Sequence, residues 1–127
     1  MTDLNFQDML AMQRTLWEQN RDKWSPLEPS YARNHFLWMI GELGEVLDIV
    51  KKCGEDRIMN DANIKAAFTE ELCDVLMYFN NILLRYDISP SDIAAAYIKK
   101  HHKNTGRDFT AEQNKFAEKM NDTRDGQ

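Results

Sequence analysis

The sequence predicts an all-α fold, a four-helix bundle followed by a short C-terminal helix. Three observations carry this. Only five glycines and three prolines occur in 127 residues, so the chain offers few interruptions to regular structure. The apolar residues recur at intervals of three and four, the spacing of one helix face, and no run alternates as a half-buried strand does. Serine, aspartate and proline stand before several of these periodic runs, where helices begin. A chain of this length can bury one core, so residues 1–120 are expected to form a single domain, with 121–127 a disordered tail.

The first helix is expected over about Asp3 to Asp22, with Leu4, Met9, Met12 and Leu16 on one face. Pro26 and Pro29 stiffen the connector that follows. Ser30 is a candidate N-cap for a second helix reaching Cys53, in which Phe36, Ile40, Leu43, Leu47 and Val50 form a core stripe. Residues 54–60 read as a loop. Asp61 is placed to cap a third helix to about Tyr86, apolar on nearly every side and therefore expected to be buried. Ser89-Pro90-Ser91-Asp92 combines a cap, a first-position proline and a first-turn acid, so a fourth helix should run to about Asn104 and stop at Gly106. Thr110 to Gln113 resembles a capping box for the short C-terminal helix.

The formal charge of −5 argues against a general nucleic-acid partner, because binding a phosphate backbone takes a basic field. No apolar run approaches the roughly 20 residues of a bilayer span, and residues 1–8 lack a secretory leader's basic and apolar segments. A cytoplasmic protein with no membrane partner is expected. Cys53 and Cys73 sit in or beside helical patterns and read as reduced, small apolar residues.

Chemistry enters through acids placed where a core should be. Glu42 and Glu45 are three residues apart on the second helix, which puts their carboxylates on one face, about 4.5 Å apart along the axis. Glu71 and Asp74 repeat this on the third helix, inside the stripe Ile64, Phe68, Val75, Tyr78 and Ile82. Like charges at this spacing destabilise a helix by roughly 0.2–0.5 kcal/mol per pair, and a buried unpaired carboxylate costs several times more. Gly41 and Gly44 add about 0.8–1 kcal/mol each relative to alanine in mid-helix. A compensating ligand is therefore expected. Oxygen donors without cysteine or histidine suit hard cations, which points to Mg²⁺ or Mn²⁺. A di-iron bundle would pair its glutamates with histidines three residues on, and none stands there.

Glu42-x-x-Glu45 followed by Glu71-x-x-Asp74 resembles the signature of the MazG-like all-α nucleoside triphosphate pyrophosphohydrolases, which include dCTP pyrophosphatases and dimeric dUTPases. Two further elements, in the same order, resemble that family: Arg21-Asp22-Lys23-Trp24 with Arg33-Asn34 upstream, and Lys100-x-x-Lys103-Asn104-x-x-Arg107 downstream. Lys51 and Lys52 stand where dCTP-preferring members tend to carry a second stacking aromatic, so the resemblance names no base.

What the resemblance implies is Mg²⁺-dependent hydrolysis of a (deoxy)nucleoside triphosphate to the monophosphate and pyrophosphate. Glu42, Glu45, Glu71 and Asp74 would hold the metal, and Glu45 or Glu42 would orient or deprotonate the attacking water. Trp24, Asn34 and His35 are candidate contacts to base or sugar, while Lys103, Asn104 and Arg107 are candidate phosphate ligands, the arginine through its hydrogen-bonding fork. Trp38 is a second candidate stacking residue. The family further implies a homodimer or a dimer of dimers. The competing readings are a non-catalytic helical interaction protein of the same fold and an enzyme resembling phosphoribosyl-ATP pyrophosphohydrolase.

Overall fold

The computed structural model describes residues 3–107 and 109–125, and every regular element among them is helical. The helices are α1 (Phe6–Gln19), α2 (Ala32–Cys53), α3 (Glu55–Asn60), α4 (Ala62–Arg85), α5 (Pro90–Thr105) and α6 (Phe109–Asp125), with a 3-10 turn at Pro29–Tyr31 before α2. None is long and apolar enough to cross a membrane. The chain divides into two compact units, Met1–Pro90 and Ser91–Gln127.

In the first unit α2 and α4 pack along each other, α1 lies on α4, and α3 bridges the turn between the central pair. The central helices are antiparallel, since His35 near the start of α2 meets Tyr78 in the second half of α4. The shared core is Leu10, Ala32, Val46, Ile58, Ile82, Leu83 and Leu84.

Several boundaries follow local chemistry that the sequence pattern does not separate. α1 is shorter than expected because Asn5 caps it, its Oδ1 accepting from the Asp8 amide at 2.8 Å, and because Asn20 closes it by donating from Nδ2 to the Leu16 carbonyl. Ser30 lies inside the 3-10 turn rather than at an N-cap, and Tyr31 precedes α2 without a side-chain cap. Residues 55–60 are helical where a loop was expected. Two first-turn acids favour this short helix, and Ile58 anchors it in the core. Gly54 makes the corner between α2 and α3 at φ 77°, a conformation side chains with a Cβ adopt rarely, while its amide donates to the Val50 carbonyl. Thr110 falls within the first turn of α6, not at its cap, and α6 continues to Asp125, where a tail without structure was expected from residue 121. Residues 126 and 127 lie outside the described residues.

The expected core stripe of α2 is mostly exposed. Ile40 is 62% and Leu47 50% accessible, Phe36 and Leu43 are also open, and Val46 is the stripe's buried neighbour. Leu4, Met12 and Leu16 of α1 are likewise exposed, and Leu10 and Gln13 are the α1 residues that are buried. Parts of α4 are open too, at Leu72, Leu76, Met77 and Phe79. Periodicity identifies an apolar face but not which surface covers it.

Asp61 caps α4 as expected, its Oδ1 accepting from the amides of Asn63 and Ile64 at 2.9 and 3.2 Å. Asp61→Ala leaves those donors without a side-chain partner and should cost about 0.5–2 kcal/mol of stability. Urea unfolding should show this as a lower midpoint at unchanged slope.

Candidate functional site

The acids of α2 and α4 meet where the two helices cross. Ligand oxygens of Glu42, Glu45 and Glu71 lie within 4.8 Å of one another. Asp74 stands one turn beyond Glu71, outside that tight group, but near enough for its charge to act on both Glu42 and Glu71. Among the described residues no lysine, arginine or histidine forms an ion pair with any of these acids.

The electrostatic cost is visible in the proton affinities. Glu42 binds its proton more tightly than an ordinary carboxyl, chiefly through burial, then through a hydrogen bond to Glu45 and the charges of Glu45, Asp74 and Glu71. Glu71 is raised in the same way, with burial first and Glu45 next. One oxygen of each, Glu42 Oε2 and Glu71 Oε2, is sealed from solvent and has no hydrogen-bond partner. Buried acceptors without donors are costly. Two orphaned carboxylate oxygens inside a three-acid cluster fit a hard divalent cation.

Two of the four acids border a cavity of about 560 Å³. Glu42 and Asp74 line it at the acidic end, with Trp38 and Tyr78 beyond them, then His35 and Arg85, and the connector residues Lys23, Trp24 and Ser25 form a further side. Trp38 meets His35 edge to face at 4.9 Å, and Tyr78 stands 6.2 Å from each ring. Burial, then the charges of Glu42, Asp74 and Glu45, raise the affinity of the Tyr78 hydroxyl for its proton. The site therefore joins a polyanionic end to an aromatic end.

Arg85 holds the connector in place. Its side chain is fully enclosed, at 2% exposure. Nη2 donates to the Ser25 carbonyl and hydroxyl at 3.1 and 3.0 Å, and Nη1 donates to the carbonyl and side-chain oxygen of Asn81 at 3.2 and 3.1 Å. Trp17 Nε1 donates to the same Ser25 carbonyl at 2.8 Å, which ties α1 to the connector as well.

No protein-family model matches the chain, and no curated protein or solved structure matches it significantly.

Of the residues that the sequence singles out, Glu42, Asp74, Trp24, Trp38 and His35 line the cavity, and Glu45 and Glu71 join Glu42 in the acid cluster. Asn34 does not line it and is exposed on α2. Lys103, Asn104 and Arg107 belong to the second unit. There Arg107 bonds to Glu112 and donates from Nη1 to Asn104 Oδ1 at 3.3 Å, and all three are exposed. Gln13, Ser25, Met77, Tyr78 and Arg85 were missed as lining residues, and Asn81, which the sequence leaves open between an inter-helix bond and the site, lines the cavity and accepts from Arg85. The one available signal was Arg85 itself, a cation ending an apolar helix, which resembles ordinary charge compensation at a helix C-terminus.

The raised carboxyls have a thermodynamic sign. A folded chain whose Glu42 and Glu71 hold protons more tightly than the unfolded chain loses stability as pH rises through and above the ordinary carboxylate range. His35 acts oppositely: burial, then the Arg85 charge, depress its proton affinity, so its contribution is lost as pH falls through its ordinary value of 6.5. The difference between the wild type and Glu42→Gln isolates the acids. In EDTA, the Tm advantage of Glu42→Gln should grow from about pH 5 to about pH 8. Added Mg²⁺ should raise the wild-type Tm most at the upper end of that range. An advantage independent of pH would show that Glu42 is an ordinary surface acid.

Proposed function

We propose that this chain is a divalent-cation-dependent pyrophosphohydrolase that cleaves a (deoxy)nucleoside triphosphate between its α- and β-phosphates. The observation that carries this reading is the cluster of Glu42, Glu45 and Glu71, with two orphaned oxygens, at one end of a nucleotide-sized cavity whose other end is aromatic. Glu42, Glu45, Glu71 and Asp74 hold the metal through oxygen ligands. When bound, Mg²⁺ or Mn²⁺ supplies charge neutralisation for the triphosphate and acidifies water for attack on the α-phosphorus.

The chain's own residues do the rest. The chain's general base is Glu45 or Glu42, which takes the proton of the attacking water. Trp24 and Trp38 offer stacking surfaces at the connector and on α2. The resemblance to MazG-like enzymes assigns Lys103, Asn104 and Arg107 to the phosphates, and Asn34, exposed and outside the cavity, is left without a role. The exposed α2 face carrying Phe36, Ile40, Leu43 and Leu47 lies away from the acids and is the surface on which a second copy would pack. Two free cysteines, Cys53 and Cys73, agree with a reducing cytoplasm.

Incubation with Mg²⁺ and a panel of nucleoside triphosphates, with phosphoribosyl-ATP included, tests the reading by ³¹P NMR of the products. Monophosphate and pyrophosphate should form, and excess EDTA should stop the reaction. Release of inorganic phosphate and a diphosphate, or no turnover on any member, would sink it and favour the non-catalytic interaction protein.

A further inference from the structure

The aromatic end of the cavity contains a hydrogen-bonding group whose sense the backbone dictates. His35 is buried at 6% exposure, and its Nδ1 stands 3.1 Å from the Tyr31 carbonyl oxygen. A carbonyl oxygen only accepts, so Nδ1 carries the proton in that bond. Burial and the neighbouring Arg85 guanidinium disfavour a second proton. In the neutral ring this bond leaves Nε2 with a lone pair facing away from Tyr31. Among the described residues His35 makes no other hydrogen bond, and the ring lines the cavity. Trp38 edge to face at 4.9 Å and Tyr78 at 6.2 Å hold the ring's orientation.

Position supplies the second half of the argument. His35 precedes Glu42 by seven residues on α2, which is about 10 Å along the helix axis. Tyr78 and Arg85 follow Asp74 in the same sense on antiparallel α4. Phosphates at the acids thus run the nucleoside past Trp38 and Tyr78 and bring the far edge of a base to His35.

Resting on the pyrophosphohydrolase reading, we propose that His35 is a specificity-determining residue whose Nε2 accepts a hydrogen bond from an exocyclic amino group at the far edge of the base. The substrate class is then the nucleotides of cytosine or adenine. Uracil, thymine and hypoxanthine present a carbonyl oxygen at that position, and two lone pairs would face each other across the contact. Reversing the tautomer would relieve this clash only by giving up the bond to Tyr31.

Matched substrates test this without relying on a variant. dCTP and dUTP, and dATP and dITP, differ at the position in question by amino against oxo. In at least one pair kcat/KM should favour the amino member by roughly ten- to a hundredfold, the scale of one buried hydrogen bond made or missed. His35→Leu should bring that ratio close to one by lowering the amino member. Long-range ¹H–¹⁵N spectra of the wild type should show His35 neutral with the proton on Nδ1. Equal or better turnover of the oxo members, an Nε2-protonated ring, or an unchanged ratio in folded His35→Leu overturns the proposal while leaving the hydrolase reading intact. If no triphosphate is hydrolysed, the hydrolase reading fails, and titration with dCMP against dUMP and dAMP against dIMP decides the proposal. Tighter binding of an amino member, abolished by His35→Leu, sustains it, and equal or absent binding removes it.

Discussion

Glu71→Gln should abolish nearly all turnover and, in the same protein, raise the Tm of the metal-free state. The two effects share one cause. Glu71 contributes a buried oxygen without a partner and a negative charge within 4.8 Å of two others. Glutamine keeps the shape and removes the charge, which relieves repulsion, and its amide can donate to an acceptor that now has no partner. The same loss of charge deprives a hard cation of a ligand, and kcat/KM should fall by at least about 10²-fold, the scale on which electrostatic groups at a reacting phosphate act. Glu42→Gln should behave alike. Asp74→Asn should lose activity with a smaller rise in Tm, because Asp74 lies outside the tight group. Thermal melts in EDTA beside steady-state kinetics in Mg²⁺ read both quantities. A structural acid would give the opposite pair, activity retained and stability lost, and that outcome would end the metal-site assignment.

The acids were legible in the sequence because their cost is local. Glu42 borders an apolar stripe and Glu71 interrupts one, each with a second acid three residues on, and spacing of that kind survives folding unchanged. Asp61 was legible for the same reason, since a cap acts on amides two and three residues away. What depends on distant partners was not. Ile40 and Leu47 read as core but are open, because a pattern cannot name the surface that covers it. Residues 55–60 are too few to display a period, so the burial of Ile58 that anchors α3 had no sequence counterpart. Ser25 and Arg85, 60 positions apart, meet only after α4 and the connector are brought together.

That last contact leads to the largest expected effect on the fold itself. Arg85→Ala should lose about 3–5 kcal/mol of stability, within the range for a buried group whose partners are stranded and whose volume is emptied. Desolvation lowers the guanidinium's proton affinity, and no carboxylate pairs with it; its charge is balanced by four oxygens, two from Ser25 and two from Asn81. Removing it strands those acceptors and releases the connector that carries Trp24 from α4. Arg85→Lys should recover only part of the loss, since an ammonium cannot reach the Ser25 and Asn81 pairs together as a planar fork does. Arg85→Met, which fills space without charge, separates volume from hydrogen bonding. If Met matches the wild type in urea midpoint, burial of the stem is what matters, and the latch to Ser25 contributes nothing measurable. If Met falls between Ala and Lys, the four hydrogen bonds outweigh the cost of burying the charge, and Trp24 fluorescence should become more accessible to quencher in the same order, Lys least and Ala most.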